Sequence, residues 1–466
     1  MSDLVMIRRF RGFSLMMAGL ALAACQTAMQ ERTGDTRASQ ATEMPSSWQS
    51  SSEAVSRPQD WRALLNDSLL KVYLEQAKTA NLDLRLAGAR LRQSQASLRQ
   101  SRALLGPSVS ADLSASGFAE LSNFEDTSDG ANSALGVTWN PDIFGVNRAA
   151  VRQAEAQLEV QRANTLRLQQ VILAQTARAY FQIIESDQQL LLAQENLTFL
   201  QETKRVSEAR FGAGDIARSD LALAELEFEN AVAGLRNQEF AARSARRSLS
   251  ILLGDFGDMH VEVADRLPLP TDIGLHPVPA DLLATRYDII AGRASLAAEF
   301  ANFEATRKTN WPSLRLSGRL ASSGAQLSDL FDPDFYLASV TASIGSVLFD
   351  SGRNAAQIDA AEARIDAALA GYAAVVRTAV FDVNDAFDRT ATLRAALDAL
   401  ERASASAEEA LALEQIKFDL GETILLDVLT VQRRVNAIRG ARISTERRLL
   451  DAQIEAFLAL GLSMPT

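Results

Sequence analysis

Two aspartates, Asp220 and Asp427, lie 207 residues apart, and each stands six positions after a glycine that closes a Phe-x-x-Gly run followed by an acid: Phe211 to Gly214-Asp215, and Phe418 to Gly421-Glu422. A carboxylate placed just after such a glycine can cap a helix start, where unpaired amides and the helix dipole favour negative charge. The glycines suit the left-handed turn that ends a preceding helix. Capping accounts for Asp215 and Glu422, expected to open the second helix of each pair; Asp220 and Asp427 lie further in, where it explains them less well. Other chemistry is scarce. With two histidines, His260 and His276, and the single Cys25, no Cys/His zinc site or internal disulfide can be assembled. "GAGD" at 212–215 lacks the Lys-Ser/Thr of a phosphate loop, and no serine sits in a Gly-x-Ser-x-Gly elbow. The expectation is no enzyme, no metal and no cofactor. A formal charge of −11 lacks the basic excess that phosphate binding requires, so nucleic acid is not an expected partner.

The positioning elements begin with an export signal. "IRRFR" at 7–11 precedes the short apolar run 12–24, which ends in Leu22-Ala23-Ala24-Cys25. That ending resembles the bacterial lipobox, which implies removal of residues 1–24, a covalent lipid on Cys25 and a mature charge of −13, since three Arg and one Asp depart. Residues 25–59 read as a polar tether. Gln26 after the cysteine favours the outer membrane in such lipoproteins.

The rest of the chain says most things twice. "GPSVSADLSASG" at 106–117 aligns with "WPSLRLSGRLASSG" at 311–324 at an offset of 205, which Phe144 and Phe349 share. From "AEAQLE" at 154–159 and "AEARID" at 361–366 onward the offset is 207. Two residues are inserted at one corner of a duplicated unit. The repeats are 60–254 and 281–466, joined by a proline-marked linker at 255–280. Each has a leading helix (60–104; 281–308), two strands (about 107–118 and 133–144; about 312–322 and 335–348), a long helix (146–210; 353–417) and a return helix (215–253; 422–460).

The strands alternate with period two. Val109, Ala111, Leu113 and Ala115 oppose Ser108, Ser110, Asp112 and Ser114; Leu314, Leu316 and Leu320 oppose Arg315, Ser317 and Arg319; Leu135, Val137, Trp139 and Val340, Ala342, Ile344 behave likewise. Such strands could face a soluble core, or lipid on one side and water on the other. In the second case four strands are too few to close a barrel, and open edges in lipid leave backbone unpaired, so several chains must combine. The loops at 119–132 and 323–334 are acidic and irregular, suiting an aqueous exit face.

Neither Gly nor Pro falls between Val146 and Phe211, and only Gly371 between Arg353 and Leu420. Each stretch can run as one helix of about 65 residues, close to 100 Å at about 1.5 Å per residue. A 3–4 stripe through Ile358, Ala361, Ile365, Ala368, Tyr372, Val375 and Ala379, resuming at Leu393, Ala396, Leu400, Ala403, Ala407 and Ala410, is a seam for a neighbouring helix. It fits a helical wall or a plain hairpin.

"FDSGR" at 349–353, the two Phe-x-x-Gly tips and "LLDVLTVQ" at 425–432, in this order, resemble the TolC-like outer membrane efflux proteins, and with the lipobox their lipoprotein branch, over about residues 60–460. The resemblance implies a mainly α fold with a membrane β-barrel: a homotrimer with a 12-stranded outer membrane barrel continued by a long helical periplasmic tunnel. It implies a passive efflux conduit in a Gram-negative outer membrane, with a periplasmic adaptor (membrane fusion) protein and an inner membrane pump as partners. Phe211, Gly214, Asp215, Phe418, Gly421 and Glu422 would form the tips that meet the adaptor. Asp220, Asp427 and Thr430 would line the aperture, three copies of Asp427 forming an anionic ring. Phe418 stands where the family's best-known member has a tyrosine, and Thr423 where it has an arginine, so closure is expected to rest on packing around Phe211 and Phe418. A structural coiled-coil lipoprotein, or the outer component of type I secretion or metal-ion efflux, are the competing readings; no Met or His cluster points to metal.

Overall fold

The computed structural model describes residues 67–461 except 121–122, 257–259, 269–284, 325–329 and 331. The export signal, Cys25, the tether and most of the 255–280 linker lie outside these residues. In chain order the described elements are α1 (Ser68–Ala80), α2 (Leu82–Ala103), β1 (Ser108–Glu120), β2 (Asn123–Trp139), α3 (Val146–Ala213), α4 (Arg218–Leu252), α5 (Tyr287–Lys308), β3 (Ser313–Gly324), β4 (Tyr336–Gly345), α6 (Arg353–Asp419) and α7 (Leu425–Ala459). Contacts divide the chain into a sheet unit, containing Arg90–Ala163 and Ile289–Val375, and a helical unit, containing Asn164–Asp288 and the chain from Val376. No described helix is apolar enough over a sufficient length to cross a membrane.

In the sheet unit the strands form one antiparallel meander in the order β1-β2-β3-β4. The register joins the apolar positions into rows: Val109 beside Val137, Val137 beside Gly318 and Gly318 beside Val340; Ala111 beside Leu135, Leu135 beside Leu320 and Leu320 beside Ala338. None of the described residues covers these rows. Val109, Leu113, Val340 and Ile344 are 68%, 71%, 91% and 74% exposed, values that no water-facing core strand would show. β1 continues to Glu120 and β2 starts at Asn123, with Ala119 paired to Thr127 and Glu120 to Asn123, where the sequence marks a loop. Alternation was the signal for a strand, and a hairpin polar on both sides hydrogen-bonds its backbone equally well without it.

Below the strands, the Trp139 indole N–H donates to the Leu105 carbonyl at 3.0 Å, and Phe144 meets Trp311 edge-on at 5.3 Å. The two-residue insertion is Asp350-Ser351, because Gly145 and Gly352, both at positive φ, again stand 207 apart. Each corner caps its long helix with an aspartate, but from different places. Asp142 accepts from the Asn147 and Arg148 amides at 3.1 and 2.8 Å, whereas the inserted Asp350 accepts from Gly352 and Asn354 at 3.1 and 2.9 Å.

The helix expected over 60–104 is two helices broken at Asn81. The Asn81 side chain accepts from the Asp83 and Leu84 amides at 2.9 and 3.2 Å and donates to the Leu252 carbonyl at 3.0 Å. An asparagine that bonds backbone locally outcompetes helix continuation. The long helices run three and two residues beyond their expected ends. Along α6 the seam is buried at Ala361, Ile365 and Ala379, but further on Leu397 is buried and Ala396 and Ala410 are exposed. A fixed stripe drifts around a helix of 3.6 residues per turn.

The helical unit packs α1, α3, α4 and α7 around Tyr180, Phe181, Ile184, Leu249, Leu450 and Phe457, all but sealed from solvent. Each such side chain contributes about 1.5–3 kcal/mol of burial. Arg286, before α5, ties the start of α5 and the end of α7 to the middle of α6. It donates to Asp288 at 2.7 Å, to Asp382 of α6 at 2.9 Å and to the Ala459 carbonyl at the end of α7 at 3.0 Å. Burial works against its charge, but the two carboxylates outweigh burial and hold its pKa above the ordinary arginine value. Arg286→Met removes the guanidinium from both carboxylates and from the Ala459 carbonyl and is expected to destabilise the helical unit by about 3–5 kcal/mol. Thermal unfolding of the detergent-solubilised protein, followed by helical circular dichroism, measures it.

Candidate functional site at the helix-turn tips

α3 turns into α4, and α6 into α7, through the same backbone device. Gly214 and Gly421 have φ of +83° and +76°, where a side chain would be strained. The Gly214 amide donates to the Phe211 carbonyl and the Asp215 amide to the Arg210 carbonyl, at 3.0 and 2.9 Å; Gly421 and Glu422 repeat this with Phe418 and Lys417, at 3.1 and 2.8 Å. This is a Schellman ending, which satisfies carbonyls the helix leaves free.

It also corrects the expected roles of the acids. Asp215 and Glu422 are spent on closing the preceding helices, and the next ones begin three residues later, at Arg218 and Leu425. Their N-cap positions hold Ala217 and Ile424, which offer no side-chain acceptor. Capping instead falls to Asp220, whose carboxylate reaches back to accept from the Ala217 amide at 3.2 Å. Asp427, at the corresponding third position of α7, accepts from the Thr423 hydroxyl at 2.8 Å and is exposed. Thr430, one turn on, donates its hydroxyl to the Leu426 carbonyl at 2.7 Å and accepts from Arg433 at 3.4 Å.

The two tips also touch. The Arg210 guanidinium lies 4.6 Å from the Phe418 ring, and Arg218 lies 5.9 Å from Phe211. Phe418 packs against a cluster of Leu200, Ala224, Ala231, Leu425 and Leu429 from α3, α4 and α7, while Phe211 stays 40% exposed. Each stacked cation contributes about 0.5–2 kcal/mol. Behind the cluster a cavity of about 240 Å³ is lined by Asn196, Glu227, Gln432, Arg433 and Asn436 among others. The structure thus gathers Phe211, Gly214, Asp215, Asp220, Phe418, Gly421, Glu422, Asp427 and Thr430 at one end of two helical hairpins. Sequence reading missed Arg210, Arg218, Thr423 as partner of Asp427, and Arg433. A basic residue in the last turn before each tip glycine, Arg210 and Lys417, was the available signal, since cations favour helix C-termini.

A four-stranded sheet with an uncovered apolar face and open edges, duplicated with paired long helices and capped tips, defines the subunit of an oligomeric membrane channel. The outer membrane efflux protein model matches residues 73–255 and 278–462, one match per repeat, and the chain belongs to this family. It is an outer membrane efflux channel, a transport component with a periplasmic helical part. The chain is 29% identical over 411 residues to the pyoverdine export outer membrane protein OpmQ of Pseudomonas aeruginosa, covering 86% of this chain and 83% of that one. It is 24% identical over 413 residues to the cation efflux system protein CusC of Escherichia coli K12, covering 86% and 88%. Among solved structures it is similar to the open state of the MtrE outer membrane channel of Neisseria gonorrhoeae, with a TM-score of 0.77, 26% identity, and 90% and 96% of the two chains covered.

Removing the Asp220 cap at the first tip should loosen the start of α4. Asp220→Ala is expected to cost about 1 kcal/mol locally, raising amide hydrogen exchange at Ala217 about fivefold while protection of the paired strands stays unchanged.

Proposed function

We propose that three copies of this chain combine their sheets into one 12-stranded barrel and form a passive conduit that carries small molecules outward from a periplasmic adaptor and an inner membrane pump. Channels of this family are trimers that work with such partners. The observation that carries the reading here is the sheet: among the described residues, an apolar face left uncovered and two edges left unpaired. In lipid every such edge must find a partner strand, and β4 of one copy beside β1 of the next provides it. The tips at Gly214 and Gly421 are assigned to adaptor docking, with Asp220, Asp427 and Thr430 at the aperture. Cys25 carries a lipid that anchors the chain to the outer membrane. Relatives are named for export of pyoverdine and of cations, so one scaffold serves unlike cargoes.

Purified mature protein in planar bilayers should give stepwise conductance, to which Asp427 contributes cation preference at the aperture. Asp427→Ala is expected to shift the reversal potential in asymmetric salt toward neutrality, because its carboxylate is exposed beside only a threonine hydroxyl. A protein that stays monomeric in mild detergent, or gives no conductance, rules the channel out; an unchanged reversal potential rules out the role of Asp427 alone. For the anchor, mass spectrometry of the N-terminal peptide should find diacylglyceryl and acyl additions on Cys25 that Cys25→Ser lacks.

A further inference from the structure

The polar face of the sheet carries charge that neither the fold nor the tips use. Arg315 and Arg319 lie on β3, four residues apart, opposite in sense to Leu314, Leu316 and Leu320. Their cross-strand neighbours are small. Arg319 is flanked by Gly136 on β2 and Ser339 on β4, and Arg315 faces Ser343 on β4. Both arginines are exposed, and among the described residues neither has an ion-pair partner. Of the strand residues whose side chains are described, one other on this face is charged, Asp112 on β1, which pairs with Ala134. Strand β2 and one row separate it from Arg319, about 12 Å between backbones, and the two do not pair. The first repeat has Ser110 and Ser114 where the second has the arginines, so duplication did not require the charge.

We infer that Arg315 and Arg319 form a basic belt on the water-facing wall of the barrel that binds anionic groups of the cargo, carboxylates or phosphates, as they pass. The inference rests on the trimeric channel proposed above, since a lumen exists only there. The apolar rows assign the opposite face to lipid, so these guanidiniums face water, and with two per chain a trimer presents six around one bore. Rings of arginine or lysine are how pores favour anions, and a guanidinium meets a carboxylate or phosphate through two parallel hydrogen bonds. Small neighbours leave both arginines free to turn toward a passing ligand. At about four residues' separation, near 13 Å along the strand, the two positions act as successive contacts rather than one chelate.

The test uses the full-length trimer in planar bilayers at low salt, with inositol hexakisphosphate as the polyanion probe, added to the compartment facing the strand loops. Wild type should be blocked, and the block should weaken as salt rises, since screening shortens the reach of such charges. Arg315→Gln/Arg319→Gln should need about tenfold or more probe for the same block, whereas Arg315→Lys/Arg319→Lys should stay near wild type because charge is retained. Equal block in wild type and the glutamine variant overturns the belt, as does wild-type conductance that the probe leaves untouched. Should the glutamine variant fail to assemble, single Arg315→Gln and Arg319→Gln channels decide, each expected to show part of the loss; no loss in either overturns the proposal. Absence of any wild-type conductance would strike instead at the channel itself, and at the belt with it.

Discussion

Backbone polarity in oil governs this molecule. Each amide or carbonyl left unpaired in a hydrocarbon environment costs several kcal/mol, and the outer edges of β1 and β4 present whole rows of them. No side-chain arrangement can offset that. The same strands expose Val109, Leu113, Val340 and Ile344, which water would penalise. A sheet that cannot rest in water on one face, or in lipid at its edges, is stable only as an arc of a closed cylinder. Order β1-β2-β3-β4 keeps each repeat's hairpin intact and leaves one edge from each repeat outermost, so joining copies brings a first-repeat strand beside a second-repeat strand, just as β2 already pairs with β3 within the chain.

Duplication preserved backbone geometry more strictly than side-chain use. Positive-φ glycines recur at an offset of 207 at 145 and 352, 214 and 421, and 254 and 461, one for each helix start or end that needs them. The side chains around them have parted. Arg210 stacks on Phe418, while Lys417, its counterpart, pairs with Glu414 at 3.2 Å. Asp220 caps a helix, whereas Asp427 is held by Thr423 through a side-chain bond, its capping duty unfilled. Each carboxylate accepts one hydrogen bond, but from unlike donors, a backbone amide for Asp220 and a side-chain hydroxyl for Asp427, so equivalent positions serve different local structure.

Periodicity made the strands, the long helices and their duplication legible, because period two and an unbroken apolar stripe are written residue by residue. The tip glycines were legible for the same reason: few residues tolerate positive φ. What escaped were features decided by one local competition or by contacts far apart in sequence. The break at Asn81 depends on a side-chain amide outbidding a helical bond. The placement of Asp215 and Glu422 depends on which of two consecutive hydrogen-bonding schemes claims them, and the Schellman pattern took both. Arg210 on Phe418, separated by more than two hundred positions, left only a weak trace in the basic last turn. The polar β hairpin beyond the alternating region gave no pattern at all, since its pairing lies in the backbone.

The two faces of the sheet also differ in how far the repeats were able to diverge. On the apolar face Val109 corresponds to Leu314, Ala111 to Leu316 and Ala115 to Leu320, every exchange staying within what lipid accepts. On the opposite face Ser110 corresponds to Arg315, Asp112 to Ser317 and Ser114 to Arg319, with charge gained, lost and gained again. Lipid excludes charge at about 2–4 kcal/mol per lysine or arginine near its midplane, whereas water solvates any of these groups. The lipid face is therefore fixed by its solvent, whereas the water-facing side of the same strands is free to gain or lose charge.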